Sequence, residues 1–199
     1  MKILEIFKSI QGEGFWLGRP AIFVRTAGCN LHCSFCDTKD SWNPAHGHEY
    51  TPEQVFHKVQ LMNPGNFIKN VVITGGEPLM WKDQLQGLIN LLANKDYLVG
   101  IESNGTYPRP MNVNHFVVSP KKDAGYRYPS DADELKYVVT QNFDDSVINE
   151  ETRNAFAGRI WLQPDGYVMK EAWRQCYRLA MEDPRLRVGV QLHKLMEVQ

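Results

Sequence analysis

Three cysteines near the N-terminus are the side chains with the clearest capacity for chemistry. Cys29, Cys33 and Cys36 follow the spacing C-x3-C-x2-C, so one short loop can wrap three thiolates around a compact metal centre. Closed structural zinc sites and closed iron–sulfur clusters normally have four protein ligands. Three thiolates on a four-iron cluster would leave one iron open, and an open metal position is where chemistry can take place.

A zinc site and a purely structural role for these cysteines both stay open on spacing alone. His32 or a distant residue could complete a zinc site with them. Free cysteines are also often buried as structural thiols. The fourth cysteine, Cys176, falls on the apolar face of a helix predicted from the sequence, which favours a core thiol over a further ligand.

A glycine-rich turn further along the chain is a second candidate for ligand binding. An apolar strand over residues 70–74 runs directly into Gly75, Gly76, Glu77 and Pro78. Two glycines at a strand end let a ligand approach the backbone closely, and Glu77 adds a carboxylate. A strand-to-helix turn also uses glycine, so this turn is a moderate signal alone and a stronger one downstream of the cysteines.

Three other stretches carry weaker signals. Residues 11–14, Gln-Gly-Glu-Gly, follow the first strand and favour a plain hairpin turn. Arg25 is a charge inside an apolar strand, so it is either a salt-bridged structural residue or an anion anchor. His193 and Lys194 follow the last strand, where a surface position and a role in a site are about equally favoured.

The composition is that of an ordinary globular protein. The 199 residues are 43% hydrophobic and 23% charged, with a formal net charge of -1, which gives no reason to expect a nucleic-acid or membrane partner. No stretch approaches 18 consecutive apolar residues. Four cysteines, three of them clustered, do not make a disulfide framework, and thiols kept reduced for a metal indicate the cytoplasm.

Apolar strands alternate with helices or long connections, and each strand ends in glycine or polar residues. This pattern is typical of an α/β protein with a parallel sheet whose ligands lie at the carboxyl edge of the strands. The chain is too short for an eight-fold barrel of roughly 250 residues. It predicts one domain over residues 1–199 with an open, partial barrel of about six parallel strands and some helices reduced to loops. The strands are expected at residues 3–10, 21–26, 70–74, 97–101, 115–118, 135–139, 159–162 and 187–191, and the helices at about 52–62, 83–92, 145–156 and 170–182.

Several of these stretches together resemble the 7-carboxy-7-deazaguanine synthase family of radical S-adenosylmethionine (SAM) enzymes. The stretches that carry the resemblance span almost the whole chain and lie at residues 9–14, 20–25, 36–38, 72–78, 118–121 and 191–194. The cysteine spacing is that of the radical SAM cluster motif, and the Gly-Gly-Glu turn is similar to the element that receives the amino group of SAM. The resemblance implies a trimmed, parallel (β/α)6 barrel of the radical SAM type.

The resemblance also implies roles for individual residues. Cys29, Cys33 and Cys36 would ligate a 4Fe-4S cluster, and Thr38 would contact Mg2+. The residues implied to bind SAM are Phe35, Cys36, Asp37, Gly76, Glu102, Ser103, Asn104, Ser119, Pro120, Lys121, Gln163, Pro164 and Asp165. The residues implied to bind the substrate are Ile10, Gln11, Gly12, Glu13, Arg25, Thr74 and the C-terminal Gln199.

The reaction that the resemblance implies is the conversion of 6-carboxy-5,6,7,8-tetrahydropterin to 7-carboxy-7-deazaguanine with loss of ammonia, in queuosine precursor biosynthesis. A flavodoxin-type reductant would deliver one electron to the cluster, and SAM would be cleaved to a 5′-deoxyadenosyl radical that takes hydrogen from C6 of the pterin. Hydrogen return would regenerate SAM. Family members work as homodimers, so a homodimer is expected.

Two competing functions share part of the pattern. Glycyl-radical-enzyme activating proteins have the same cysteine spacing and a Gly-Gly-Glu turn, but they act on a protein partner. The Gln-Gly-Glu-Gly stretch and the sequence Cys36-Asp37-Thr38 favour the small pterin instead. A non-enzymatic metal module, holding zinc or an electron-transfer cluster, would need four ligands and would bind no SAM.

Overall fold

The computed structural model describes residues 1–165 and 170–199, which form an α/β architecture around one continuous sheet. The strands are β1 (Lys2–Ile10), β2 (Pro20–Thr26), β3 (His48–Glu49), β4 (Asn70–Gly75), β5 (Leu98–Ser103), β6 (His115–Val118), β7 (Glu134–Val139), β8 (Ile160–Pro164) and β9 (Leu186–Val188). The helices are α1 (Pro52–Met62), α2 (Lys82–Ala93), α3 (Glu150–Ala155), α4 (Lys170–Glu182) and α5 (Leu192–Leu195).

The nine strands lie in the order β3-β1-β2-β4-β5-β6-β7-β8-β9. All pairs from β2 to β9 are parallel, and β1 is antiparallel to both β2 and β3. Within the described residues β3 and β9 remain at opposite ends, so the sheet is open. The predicted open parallel sheet is confirmed. The strand expected at 187–191 is present as the shorter β9 and is a seventh parallel strand. The structure adds β3 and the antiparallel pairing of β1 at the N-terminal end.

Strand β2 shows how the sheet separates core from site. Ile22 and Val24 are fully buried in the main core, which the sheet forms with α1 and α2. Successive side chains of a strand point to opposite faces, so Phe23 and Arg25 lie on the other face. There the ring of Phe23 stacks on that of Phe7 with centroids 5.1 Å apart. A small apolar cluster therefore supports the face that carries polar groups.

The two longest helices that cover the N-terminal half follow their sequence signals. In α1, Thr51 accepts a hydrogen bond from the Gln54 amide while the Gln54 side chain accepts one from Thr51, a capping box that satisfies two donors at the helix start. In α2, the residues at i, i+3, i+4 and i+7 are all fully buried; they are Leu85, Leu88, Ile89 and Leu92. This periodicity was expected, and it packs α2 onto the sheet.

The barrel is trimmed between β5 and β7. Residues 104–114 and 119–133, which connect β5 to β6 and β6 to β7, contain no α-helix; the second connection has only a 3-10 turn at Lys122–Ala124. The helix expected at about 145–156 is shorter than that prediction. Asn149 accepts a hydrogen bond from the Thr152 amide and so caps α3 at Glu150, while residues 145–147 form a separate 3-10 turn.

Cys176 lies in the core, as expected. Its side chain on α4 is fully buried, and burial raises the pKa of its thiol to about 12. The predicted core thiol is confirmed. Among the described helices, none has both the length and the apolar character needed to cross a membrane.

Candidate active site

The cysteine loop begins directly after β2 and is tied down by its own backbone. Gly28 N donates to the Ser41 carbonyl at 2.8 Å, closing the loop at its base. Cys33 is 8% exposed, and Cys29 and Cys36 are partly exposed. Burial raises the pKa of the Cys29 and Cys33 thiols. A bound metal would reverse this, because thiol ligands bind metals as thiolates.

The three thiols line one cavity of about 390 Å³ at the carboxyl edge of the parallel strands. Its size is within the range of small-molecule sites. Every residue predicted for the site lines it except Gly12 and Pro120. The predicted residues in the wall are Ile10, Gln11, Glu13, Arg25, Cys29, Cys33, Phe35, Cys36, Asp37, Thr38, Thr74, Gly76, Glu102, Ser103, Asn104, Ser119, Lys121, Gln163, Pro164, Asp165 and Gln199.

Four further polar side chains line the wall. For two of them the sequence favours a surface position and a role in a site about equally, and the other two are not assigned to the site from the sequence. His193 and Lys194 were left open, and both line the cavity. Lys136 and Gln191 were missed. Lys136 had a signal, since it is a charge inside the apolar run of β7 just as Arg25 is in β2. Gln191 is the last residue of the strand expected at 187–191, and it belongs to the stretch 191–194 that carries the family resemblance.

The wall fits a cluster with an open iron. Three cysteines border one cavity, and the fourth is distant in the core on α4. In the described ranges no three His, Cys, Asp or Glu side chains are grouped so as to hold a single metal ion. Gln163 Nε2 is buried with no hydrogen-bond partner within residues 1–165 and 170–199. A buried donor of this kind needs an acceptor, which a bound ligand can supply.

An arginine stands over the apolar cluster on the N-terminal side of the cavity. Arg25 Nε donates to Glu5 Oε1 at 2.7 Å, and its guanidinium lies 5.6 Å from the centre of the Phe7 ring. Gln199 Nε2 donates to the other oxygen of Glu5 at 2.6 Å, and Ser9 Oγ contacts the Gln199 carbonyl. The C-terminal residue thus reaches the predicted substrate side of the cavity.

A second charged group spans the floor. Lys136 Nζ lies 2.9 Å from Glu102 Oε2 and contacts Glu13 Oε2. Gln11 Nε2 donates to Glu102 at 2.8 Å, and Gln191 Nε2 donates to Glu13 at 2.7 Å. The Gln-Gly-Glu-Gly stretch is therefore more than the plain turn that its sequence favoured, because its Gln and Glu side chains are held inside the cavity.

On the cysteine side, the cation is Lys121, which is half-buried. It donates to Ser119 Oγ at 2.6 Å and lies 5.5 Å from the centre of the Phe35 ring. Burial lowers the pKa of Lys121. An anionic ligand beside it would gain a charge-assisted hydrogen bond.

Glu77 has a different role from the one its position in the sequence suggested. Its carboxylate does not line the cavity; it is fully buried behind the glycine turn. It accepts hydrogen bonds from Leu79 N at 3.0 Å, Ser103 Oγ at 3.0 Å and Asn104 N at 2.7 Å. Burial raises the pKa of Glu77 to about 7 despite these donors. Glu77 joins the end of β4 to the end of β5 and so positions two wall residues.

The glycine turn touches the base of the cysteine loop directly. A Cβ placed on Gly76 would lie 2.2 Å from the Gly28 carbonyl oxygen and 2.7 Å from that of Ser41. Glu77 N donates to the same Gly28 oxygen at 2.8 Å. The two predicted ligand-binding stretches are therefore in backbone contact, and only glycine fits between them.

Gly12 and Pro120 lie just behind the wall. A Cβ on Gly12 would lie 1.9 Å from Nδ1 of His193, which does line the cavity. The Gly12 carbonyl also accepts a hydrogen bond from Leu192 N at 2.9 Å. Gly12 thus holds the start of α5 close, while Pro120 is buried between two wall residues.

The C-terminal segment is linked to the cysteine loop by an ion pair. Lys194 Nζ lies 2.6 Å from Asp37 Oδ2. Although burial by itself raises the pKa of Asp37, its contacts with Lys194 lower that pKa to about 2. Thr38 Oγ1 donates to the other Asp37 oxygen at 3.1 Å and remains at the cavity wall.

Comparison with known proteins gives consistent matches. A model of the Radical SAM superfamily matches residues 23–122. A protein named 7-carboxy-7-deazaguanine synthase from Pyrobaculum aerophilum is 36% identical over 213 aligned positions, covering 94% of this chain and 93% of that relative. One of the same name from Bacteroides thetaiotaomicron is 35% identical, covering 100% of this chain and 98% of that relative.

The fold has a counterpart among solved structures. A crystal structure of QueE from Escherichia coli matches with a TM-score of 0.77 at 28% sequence identity, covering 96% of this chain and 94% of that chain. The open, trimmed parallel barrel is thus shared with a solved protein over nearly the whole length.

Proposed function

The chain belongs to the radical SAM superfamily and, within it, to the 7-carboxy-7-deazaguanine synthases. We therefore propose that it converts 6-carboxy-5,6,7,8-tetrahydropterin to 7-carboxy-7-deazaguanine, with loss of ammonia, in this cavity. The observation that carries the proposal is the composition of one cavity wall. Three cysteines border it on one side. Arg25 and the Lys136 ammonium, with the Glu13 and Glu102 carboxylates that contact it, border the cavity on the other side.

The cysteine side is proposed to hold the cofactors. Cys29, Cys33 and Cys36 would bind three irons of a 4Fe-4S cluster and leave the fourth for SAM. When bound, the cluster and SAM supply the radical chemistry that removes a hydrogen atom from the pterin. The residues proposed to bind SAM are Phe35, Cys36, Asp37, Gly76, Glu102, Ser103, Asn104, Ser119, Pro120, Lys121, Gln163, Pro164 and Asp165.

The opposite side is proposed to hold the pterin. Arg25 offers a planar fork of donors that suits the substrate carboxylate, and its hydrogen bond to Glu5 keeps that fork in place. The residues proposed to bind the substrate are Ile10, Gln11, Gly12, Glu13, Arg25, Thr74 and Gln199. Gln199 also lines the cavity and donates to Glu5, and it is proposed to close the substrate pocket and limit the entry of water.

A magnesium ion is proposed at Thr38. The Thr38 hydroxyl lies at the cavity wall beside Asp37. Mg2+ is often bound by few protein oxygens together with substrate and water oxygens. Its removal by a chelator is expected to lower turnover, and Thr38→Ala is expected to raise the Mg2+ concentration that half-restores it. Equal Mg2+ dependence in both proteins would count against this site.

The remaining proposals concern the setting of the enzyme. One continuous sheet supports a single radical SAM core domain over residues 1–199. A flavodoxin-type reductant, a homodimer and a cytoplasmic location with no nucleic-acid partner are proposed from the family and from the need to keep three thiols reduced. Light scattering of the purified protein would test the homodimer directly.

An anaerobic turnover assay tests the reaction. Protein with a reconstituted cluster receives SAM, dithionite, Mg2+ and the carboxy-tetrahydropterin, and products are identified by mass spectrometry. We expect 7-carboxy-7-deazaguanine from the wild type and none from Cys33→Ala, which should also bind less iron.

Two other outcomes would contradict the proposal at different levels. Cleavage of SAM to 5′-deoxyadenosine with the pterin unchanged would support the radical chemistry but reject this substrate. It would favour the alternative function, in which the substrate is a protein such as a glycyl-radical enzyme. No cleavage of SAM by protein that carries its cluster would reject the radical reaction itself.

A further inference from the structure

Lys136 is a buried ammonium in the cavity floor to which the proposed function gives no role. It is 7% exposed and extends from β7 on the face opposite to Leu135 and Tyr137, which are fully buried in the core. Its Nζ lies 2.9 Å from Glu102 Oε2 and contacts Glu13 Oε2. Lys136 therefore lies between two carboxylates that come from distant parts of the chain.

The geometry of this group fixes both carboxylates in one arrangement. Each has one oxygen on Lys136 and the other on a side-chain amide, Gln11 for Glu102 and Gln191 for Glu13. Carboxylates that accept bonds in this way have few rotamers left. The two glutamates are thus pre-arranged as acceptors at the cavity surface.

Without the ammonium, the arrangement would not last. Glu13 and Glu102 are only partly buried, but two carboxylates held this close to each other favour one shared proton, because like charges in a site disfavour ionisation. Burial opposes charge on Lys136 as well, but the two carboxylates raise its pKa. Burial likewise opposes the ionised form of Glu102, and Lys136 lowers the pKa of Glu102.

The neighbouring cations and the imidazole at the cavity make their close contacts elsewhere, although Arg25 acts on Glu102, and Lys121 on Glu13, through longer-range charge interactions. Arg25 is hydrogen-bonded to Glu5 at 2.7 Å, and Lys121 is directed to Ser119 and Phe35. His193 lies against Gly12, and burial lowers its pKa, which favours the neutral imidazole.

An aminopyrimidinone ring of the kind found in pterins presents a ring N–H and an exocyclic amino group side by side. An ionised carboxylate can accept from both, whereas a protonated one cannot. Resting on the proposed function, but assigning Glu102 to the pterin and not to SAM, we propose that Lys136 is a positioning residue that determines specificity. It keeps Glu13 and Glu102 arranged as acceptors for this pair of donors.

The test is a binding measurement that needs no turnover. Protein with cluster and SAM, but without reductant, is titrated by calorimetry with 6-carboxypterin and with 6-carboxylumazine, in which an oxo group replaces the amino group. We expect the wild type to bind the pterin about tenfold more tightly or better, since a site built for N–H donors rejects an analogue that lacks them. In Lys136→Met this ratio is expected to fall close to one.

Two variants separate specificity from folding. Arg153→Met removes a cation from another partly buried ion pair, Arg153 Nη1 to Asp183 Oδ2 at 2.9 Å, away from the cavity, and should keep the ratio. If Lys136→Met does not fold, the double variant Lys136→Met/Glu102→Gln can be used instead. It removes one charge of each sign, so two carboxylates are no longer left side by side without a cation. It is expected to lose the preference too, because the amide places an N–H where an acceptor was.

A preference for the pterin that survives in either Lys136 variant overturns the proposal. A wild type that binds neither ligand, and converts no pterin in the turnover assay, rejects the proposed function instead. The two failures are therefore distinguishable, because the first leaves the wild-type reaction intact.

Discussion

Replacing Gly76 by alanine is expected to separate the glycine turn from the cysteine loop. The added Cβ would lie 2.2 Å from the Gly28 carbonyl oxygen, where an ordinary carbon–oxygen contact is about 3.3 Å, so the backbones must move apart by about 1 Å. Neither neighbour can rotate away, because both nearest oxygens belong to backbone. Gly76 does not have a positive φ, so the effect is steric only.

The magnitude follows from the contacts that the movement breaks. Two backbone hydrogen bonds, Glu77 N to Gly28 O and Gly28 N to Ser41 O, are each worth about 0.5–1.5 kcal/mol. Overpacking adds about 1–3 kcal/mol. The free energy of unfolding should therefore fall by about 2–6 kcal/mol, a large part of the 5–15 kcal/mol of a typical domain. For a chain of this size the melting temperature should drop by at least about 4 °C.

The assay is urea and thermal unfolding of the apo protein, followed by iron analysis after reconstitution. Gly18→Ala is the matched control, because Gly18 has φ +82° but its added Cβ would meet nothing within 4 Å. We expect Gly18→Ala to cost about 1–2 kcal/mol of backbone strain and to bind iron fully. If Gly76→Ala loses less than about 1 kcal/mol and takes up a full cluster, the close backbone contact does not support the cysteine loop as argued.

Three further predictions concern single side chains. At pH 8 the thiolate fraction of Cys176 should be negligible, because burial raises the pKa of its thiol to about 12. Iodoacetamide should therefore modify Cys176 only after unfolding, as read by mass spectrometry. Labelling of Cys176 in the native apo protein would contradict its burial. Tyr137→Phe should raise the free energy of unfolding by about 1 kcal/mol in urea, because the buried Tyr137 hydroxyl has no hydrogen-bond partner within the described ranges, and a loss of stability would show that it has one. Arg153→Met should lower the melting temperature by several degrees, because Asp183 then keeps only one of its two cations. The rate of SAM cleavage by protein that carries its cluster should stay as in the wild type. A lower rate would show that this ion pair affects the cavity.

The cavity could be predicted largely from local signals. Cysteine spacing and glycines at strand ends are short patterns whose chemistry does not depend on distant residues. Parallel strands bring their carboxyl ends to one edge, so residues that follow different strands meet there. This is why Cys29, Gly76 and Lys121, which lie in three separate stretches, line the same cavity.

What the sequence did not reveal depends on contacts between distant parts of the chain. Lys136 meets Glu102, 34 residues away, and Glu13, 123 residues away, and no local pattern encodes such pairs. Glu77 looked like a ligand because it follows two glycines, but its side chain turns inward where three donors meet it. The helix predicted at about 145–156 begins later than expected because Asn149 caps it, and such capping competes with helix continuation.

The open sheet has a consequence for self-association. A closed barrel has no edge strands, whereas this sheet has two, and an edge strand with unpaired backbone groups can recruit a second chain into an aggregate. One edge is short, because β9 has three residues with Arg187 in the middle. At the other edge β3 pairs only with Lys2 and Ile3, so residues 4–10 of β1 have no strand partner on that side. The Arg187 guanidinium lies 5.5 Å from the centre of the Trp161 ring on β8. The β9 edge therefore offers an incoming strand few ladder positions, whereas on the β1 edge the charged side chains of Glu5 and Lys8 oppose the pairing of another strand.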